Sequence, residues 1–260
     1  MIQQRIESDY QYVESLGYKV LGVFLHGSQN YGLAYEGSDI DTKCIVLPSF
    51  EDFCLNKKPT STTLILPSNE HIDLKDIRLM FDCFKKQNVN FVEILFTQYR
   101  KFNPEFEELY MPMLENAEVI AKYNNYAFIN CMAGMCMEKY KALEHPYPTL
   151  VEKIEKFGYD PKQLHHIIRM NEFMIRYIAG ESYKDCLTSK KAEYLIDVKR
   201  GCHTLEEARQ IAKSTLDDTI RRKNEYMESN PLAINKFVEE LMNEVLISVL
   251  KKSFILELGV

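Results

Sequence analysis

The chain has 260 residues, of which 46% are apolar and 27% charged, so it can bury a substantial core and does not resemble a disordered chain. A net charge of −6 disfavours a protein that coats nucleic acid without sequence preference. No run approaches the roughly 18 apolar residues of a membrane span, and the first residues lack the apolar segment of a signal peptide.

The seven cysteines are scattered and odd in number, and several lie within apolar runs. They form no CxxC pair and have no histidine at ligand spacing, which disfavours a zinc site. This pattern predicts reduced thiols and a cytoplasmic protein.

The first hundred residues mix helices and strands. Apolar residues at helical spacing predict a helix over 2–15 that ends before Gly17. Short apolar runs then predict four strands, with a short helix or tight loop at Ser28–Leu33 and a helix from Asp76, as N-cap, to about Asn88. The predicted strands are Lys19–His26, Ile40–Leu47, Thr62–Leu66 and His71–Leu74.

Helical patterns dominate from Pro104 onward. Gly180 and Gly201 are expected to end two of these helices, and Pro231 is expected to open the last. We therefore predict an α+β protein, with a small mixed-sheet core at 1–100 and an all-helical region at 101–260. The predicted helices are 116–143, 161–179, 188–199, 204–228 and 232–254.

A glycine-serine turn and two acids carry the chemistry of the first region. Gly27 lets the backbone approach a ligand, and Ser28 at a strand-to-helix turn is suited to phosphate oxygens. Asp39 and Asp41 lie two residues apart on a strand, so both carboxylates project from one face. Carboxylates this close favour a cation between them, and oxygen ligands suit Mg²⁺ or Mn²⁺.

A third acid on a neighbouring strand would complete a two-metal site. Asp73 is flanked by apolar residues, as expected when one face of its strand is packed and the other is functional. Asp76 is the alternative, but its position suits helix capping better. Each piece alone is common, whereas their joint order is specific.

This pattern resembles the DNA polymerase beta nucleotidyltransferase superfamily, whose signature is Gly-Ser, then Asp-x-Asp, then a later acid. More narrowly, Gly27-Ser28-x-x-Tyr31-Gly32-Leu33 with Ser38-Asp39-x-Asp41-x-Lys43 is similar to the RNA-repair-associated (RlaP-like) nucleotidyltransferases. The likeness extends loosely over the segments Asp73–Leu95, Pro161–Gly180, Lys190–Gly201 and Thr204–Ala208.

The resemblance implies transfer of a nucleoside monophosphate from an NTP, with release of pyrophosphate and with two Mg²⁺ or Mn²⁺ ions as cofactor. Asp39 and Asp41 would bridge the ions. Asp73 would bind the acceptor-side ion and could take the hydroxyl proton, while Gly27 and Ser28 would cradle the β- and γ-phosphates. Residues 1–100 would then be the polymerase-beta-like core, and 101–260 a helical domain.

Further residues have a functional and a structural interpretation. Lys43 shares a face with Asp41 and could contact a phosphate or balance the acids. Arg169 and His165, one turn apart on a helix, are expected to bind nucleotide. His26 is expected to orient the phosphate loop. For three other residues a structural role is the simpler interpretation: Tyr31 in the core, His166, and Glu93 as a buried acid paired with a base.

The acceptor is open at this stage. An RNA 3′ end is favoured through the family association, and a protein or small-molecule hydroxyl is the alternative. A non-catalytic nucleotide-binding module is a third hypothesis, disfavoured because all three acids are present. Residues 184–223 hold ten basic and seven acidic residues, which fits a solvated mixed-charge face better than a phosphate-tracking surface. The pattern does not identify the base of the NTP, although ATP is the first expectation. It does not indicate an oligomeric state either.

Overall fold

The computed structural model describes residues 1–147 and 150–260 and has the predicted α+β class. Its contacts divide the chain into two compact units. Unit 1 comprises residues 1–30, 37–124 and 234–260, and unit 2 comprises 31–36 and 125–233. The functional division into a catalytic core at 1–100 and a helical domain at 101–260 stays a prediction.

Unit 1 contains a five-stranded mixed sheet in the order β3-β4-β2-β1-β5. Strands β2 and β4 are parallel, and the other neighbours are antiparallel. The four predicted strands are confirmed to within one or two residues, whereas β5 was not predicted. The strands are β1 Lys19–His26, β2 Asp41–Leu47, β3 Ser61–Ile65, β4 His71–Asp76 and β5 Arg100–Phe102.

The two faces of the sheet are packed differently. Helix α1 (Ile2–Ser15) buries Ile6 and Val13 against alternate strand residues such as Val23 and Cys44. The other face carries Phe24, whose ring meets Phe102 edge-on at a centroid distance of 5.3 Å. Side chains that alternate along β2 therefore face either the α1 core or this second face.

The remaining helices of unit 1 include the last helix of the chain, α13, which packs against α3 and α5. Asp76 caps α3, since its side chain accepts from the Arg78 N–H, which confirms the capping role. The single helix predicted at 116–143 is wrong: residues 121–124 are not helical and separate two helices, Ala117–Ile120 and Asn125–Ala142. The helices are α2 Phe50–Cys54, α3 Ile77–Lys85, α4 Val89–Val92, α5 Glu107–Glu115, α6 Ala117–Ile120 and α13 Lys236–Leu258.

Unit 2 is helical, and its central helix α9 packs against α7, α10, α11 and α12. Asp160 caps α9 with Pro161 in its first turn, and Gly180 and Gly201 follow helices with φ of +91° and +85°, as expected of helix-ending glycines. Pro231 does not open α13, because residues 231–235 are irregular. The helices are α7 Asn125–Ala142, α8 Val151–Phe157, α9 Pro161–Ile178, α10 Tyr183–Leu187, α11 Ala192–Lys199 and α12 Leu205–Ser229.

Two further observations concern the whole described chain. None of its helices combines the length and apolar character that crossing a bilayer requires. All seven cysteines are free thiols, as predicted.

Candidate active site

The strand register brings the candidate acids of β2 and β4 to one face of the sheet. Asp41 lies opposite His26 of β1, and Lys43 lies opposite Asp73 of β4. Because cross-strand partners share a face and strand residues alternate, the side chains of Asp41, Lys43 and Asp73 all lie on the face that also carries Phe24. This is the face away from α1.

Asp41 is held by the start of β4. Its Oδ1 atom accepts a hydrogen bond from the His71 backbone N–H at 3.1 Å and lies 3.3 Å from His71 Nδ1. The Asp41 side chain keeps 30% of its surface exposed. A carboxylate oriented by one strand and still accessible is suited to bind a cation or a polar ligand.

Asp73 forms an ion pair with Lys43, with 2.7 Å between Oδ2 and Nζ. Lys43 is buried, and its ammonium also lies 4.2 Å from the centre of the Phe91 ring. Of the two roles considered for Lys43, this geometry is that of a counter-charge to an acid, although the acid is Asp73 rather than Asp41. Lys43 thus supplies, next to Asp73, the positive charge that a bound metal cation would otherwise supply.

Asp39 is exposed and lies outside β2, which begins two residues later at Asp41, so the two acids do not share a strand as predicted. Asp41 and Asp73 are diagonal neighbours on adjacent parallel strands, since Asp41 lies two residues before Lys43, the partner of Asp73. Within residues 1–147 and 150–260, no three histidine, cysteine or acidic side chains are grouped closely enough to hold a metal ion. The side chains of Asp39, Asp41 and Asp73 would therefore have to move to share one.

The glycine-serine turn follows β1 directly and forms a 3₁₀ turn at Gly27–Gln29. Gly27 has φ of +79°, a conformation that favours glycine. Its N–H donates to Glu93 Oε1 at 3.3 Å, and His26 Nδ1 lies 3.6 Å from the same oxygen. Glu93 thus holds the turn, and the Gly27 amide is already engaged, which leaves Ser28 as the residue better suited to a phosphate.

In unit 2, Arg169 is a buried cation stacked on Tyr31. The guanidinium carbon lies 3.6 Å from the Tyr31 ring centre, and the residues are 5% and 8% exposed. The Arg169 Nε atom is buried without a hydrogen-bond partner, and no described carboxylate lies within ion-pairing distance of this side chain. A desolvated guanidinium without a carboxylate favours an anion. Tyr31 lies in the core and contacts a cation.

His165 is buried beside this arginine, with Nδ1 2.9 Å from the Leu195 carbonyl oxygen. Because a carbonyl only accepts, Nδ1 carries the hydrogen. Burial, aided by the charge of Arg169, lowers the pKa of His165 to about 4, so the ring is neutral near pH 7. Burial also lowers the pKa of His166 well below its ordinary value. His165 can therefore orient a ligand or its own helix but adds no positive charge.

The buried neutral state of His165 predicts a loss of stability in acid. The unfolded chain takes up a proton near pH 6.5, whereas the folded chain does so only near pH 4. The free energy of unfolding should fall as pH drops through this window, by about 3 kcal/mol from this group. Denaturant titrations of wild type and His165→Gln across the window should give a shallower dependence for the variant.

The control for this prediction is His145→Gln, since His145 is an exposed residue of the same unit. Its removal should leave the pH dependence unchanged. A wild-type slope retained in His165→Gln would show that this histidine is not the titrating group.

The basic residues of α12 are largely paired along their own helix. Lys213 contacts Asp217 at 2.5 Å, and Arg222 contacts Asp218 at 2.7 Å. Arg221 pairs with Glu225 at 2.7 Å. These contacts fit the solvated mixed-charge face expected for the stretch 184–223.

Arg5, Asp9 and Glu70 form a group on the α1 side of the acid-bearing strand that was not predicted from the sequence. Asp9 is 2% exposed, and its Oδ2 atom accepts a hydrogen bond from the Thr42 hydroxyl of β2. A signal was present in the sequence, because Asp9 lies at helical spacing between Ile6 and Val13 on an otherwise apolar stripe. Its partners, by contrast, depend on tertiary contacts.

No protein-family model matches the chain, and no curated protein is significantly similar to it. A solved structure described as a nucleotidyltransferase-like protein from Exiguobacterium sibiricum 255-15 aligns with 100% of this chain and 92% of its own, at 13% identity and a TM-score of 0.32. Similarity at this level does not establish a common fold. The fold class therefore rests on the helices and sheet themselves.

Proposed function

We propose that the chain is a divalent-metal-dependent nucleotidyltransferase that moves a nucleoside monophosphate from an NTP to a hydroxyl. One observation carries this proposal: Asp41 and Asp73 face the same side of two adjacent strands, and the Gly27-Ser28 turn follows the strand on the other side of Asp41. An acid pair next to a phosphate-binding turn is the arrangement that two-metal phosphoryl transfer requires.

The donor set fits Mg²⁺ or Mn²⁺ in its chemistry. Asp39, Asp41 and Asp73 supply only carboxylate oxygens, the ligands that these hard cations prefer. Asp73 already has a cationic partner, Lys43, so this position accommodates positive charge. When bound, the ions would neutralise the triphosphate and make the acceptor hydroxyl more acidic.

The chain's own residues have defined roles in this proposal. Asp39 and Asp41 hold cations and substrate in register, and Ser28, with Gly27, contacts the β- and γ-phosphates. The acceptor oxygen forms a bond to the α-phosphorus, the bond from that phosphorus to the bridging oxygen breaks, and pyrophosphate leaves. Asp73 accepts the hydroxyl proton after the Lys43 ammonium has moved away from the Asp73 carboxylate.

Two residues of unit 2 stay candidates for nucleotide binding in this proposal. Arg169 offers a buried guanidinium without a carboxylate partner, which suits a phosphate group. His165, held neutral by burial, is proposed to keep the α9 surface around Arg169 in place. Lys43 is the third candidate, able to move from Asp73 to a phosphate when cations arrive.

An RNA 3′ end is the acceptor to test first, because the sequence motif resembles RNA-repair-associated enzymes. A protein hydroxyl and a small-molecule hydroxyl are the other acceptors. The paired charges of α12 give no independent support for an RNA-tracking surface.

The test is incubation of the purified chain with each α-labelled NTP, Mg²⁺ or Mn²⁺, and RNA, tRNA or protein acceptors. We expect label transfer with at least one NTP, and none in the presence of a chelator. In parallel, that NTP should raise the thermal midpoint only when the metal is present. Label transfer that survives chelation, or NTP stabilisation that ignores the metal, would contradict metal dependence.

A further inference from the structure

The acid-bearing segment, residues 39–42, is held on its α1 side at Ile40 and Thr42. Thr42 alternates with Asp41 along β2 and faces α1, and Ile40, just before the strand, packs against the same α1 core. The Ile40 N–H donates to Glu70 Oε1 at 3.1 Å, and Thr42 Oγ1 donates to Asp9 Oδ2 at 2.7 Å. Two separate carboxylates thus hold the backbone on either side of Asp41.

Arg5 joins these two carboxylates into one group. Its Nε atom contacts Asp9 Oδ1 at 2.6 Å, and its Nη1 atom contacts Glu70 Oε2. Ser68 Oγ donates to Glu70 at 2.8 Å and ties the β3–β4 turn to the same group. We call Arg5, Asp9 and Glu70 the α1 bridge, since it connects helix α1 to the acid-bearing segment.

The α1 bridge is largely shielded from solvent. Asp9 is 2% and Thr42 0% exposed, and the Arg5 side chain retains 13%. Burial raises the pKa of Asp9, opposed by the hydrogen bonds from Thr42 and Arg5. Burial also acts to raise the pKa of Glu70, but its hydrogen bonds with Ser68 and Ile40 and the charge of Arg5 lower it. Such shielded, hydrogen-bonded groups hold their geometry well.

The bridge contacts the acid-bearing segment through the Ile40 N–H and the Thr42 hydroxyl, on the side that faces α1, so it acts on the face of Asp41 and Asp73 through the backbone. Loss of the Thr42 hydroxyl leaves the buried Asp9 oxygen without this donor, and loss of Arg5 leaves two acids without their common cation. Either change lets the Asp39–Thr42 segment shift. The backbone that carries the Asp39 and Asp41 carboxylates would then no longer be held in one position.

We propose that Arg5, Asp9 and Glu70 are positioning residues that fix the Asp39–Thr42 segment for cation binding. The inference rests on the proposed function, because it assumes that Asp39 and Asp41 bind the metal. Groups that orient ligands from outside the coordination sphere typically account for about 10–100-fold in metal affinity or activity. The same range is expected for the α1 bridge.

The experiment measures the Mn²⁺ dissociation constant by electron paramagnetic resonance, with Mn²⁺ alone as probe. Thr42→Val and Arg5→Met should weaken binding by about 10–100-fold. Thr42→Ser keeps the hydroxyl and should restore affinity to within about threefold of wild type. Where label transfer is observed, Thr42→Val should lower kcat with little change in KM for the NTP.

Arg78→Met is the matched control, because Arg78 also bridges a buried carboxylate of unit 1. It contacts Asp76 at 2.7 Å, with side-chain exposures of 20% and 3%, but at the other end of β4. Circular dichroism should show every variant folded. Arg78→Met should lose thermal stability comparable to Arg5→Met while keeping Mn²⁺ affinity within about twofold, since the two sites are independent.

The outcomes separate the two proposals. Wild-type affinity in both Thr42→Val and Arg5→Met overturns the positioning role and leaves the nucleotidyltransferase proposal standing. Equal weakening in Arg78→Met also overturns it, because the effect would then follow stability alone. A wild-type chain that binds no Mn²⁺ contradicts metal binding by Asp39 and Asp41, and with it the role assigned to the α1 bridge.

Discussion

Replacement of Asp41 by asparagine should lower nucleotidyl transfer by at least roughly three orders of magnitude, the largest effect expected in this chain. The amide oxygen can still accept from the His71 N–H, so the junction of β2 and β4 should persist while the negative charge is lost. Transfer of α-labelled NTP at saturating Mg²⁺ and Mn²⁺ measures the effect. The thermal midpoint of the free chain should change little.

Asp82→Asn is the matched control, because Asp82 is an exposed acid on α3 of the same unit. It should retain wild-type transfer. The double variant Asp39→Ala/Asp41→Ala should abolish transfer altogether. Substantial transfer by the double variant would place the metal site elsewhere in the chain.

Replacement of Gly201 by alanine should destabilise unit 2 by about 2–5 kcal/mol, the largest stability effect of a single methyl group expected here. Gly201 has φ of +85°, which disfavours any other residue. An added Cβ would also lie 2.7 Å from Phe157 Cδ1 and closer still to Cε1. Ring and helix end would have to separate. Denaturant titration followed by circular dichroism measures the loss.

Gly180→Ala separates the two causes of this loss. Gly180 has φ of +91° and also ends a helix of unit 2, but nothing lies within 4 Å of its added Cβ. It should therefore show only the backbone strain, about 1–2 kcal/mol. Equal losses in the two variants would mean that the Phe157 contact contributes nothing.

The sheet was largely predictable because its strands carry local signals. Apolar, β-branched runs bounded by Gly27, Pro48 and Pro67 marked the first three strands. Strand β5 has only three residues, too few to display a period, and it exists because β1 offers it an edge. The short helices α2 and α8 escaped prediction for the same reason, since each spans only a turn or two.

The candidate site was predictable in its residues but not in its contacts. Alternation along β2 placed Asp41 and Lys43 on one face from sequence alone. The partner of Lys43, however, depends on the register of β2 against β4, and the sequence leaves that lysine open between a phosphate contact and a counter-charge to Asp39 and Asp41. Arg5 and Glu70 lie 65 residues apart and meet only when α1 packs on the sheet. Nothing local in the sequence marks such a pair.

The division of unit 1 has a consequence for synthesis on the ribosome. Helix α13 covers α3 and α5, yet more than a hundred residues separate it from α5 along the chain. Those apolar surfaces stay exposed during translation until α13 has left the exit tunnel, a period in which chaperones have access to them. Most of unit 2 is one continuous stretch of the chain, residues 125–233, whose contacts join residues close in sequence. Unit 2 can therefore fold before α13 is available to complete unit 1.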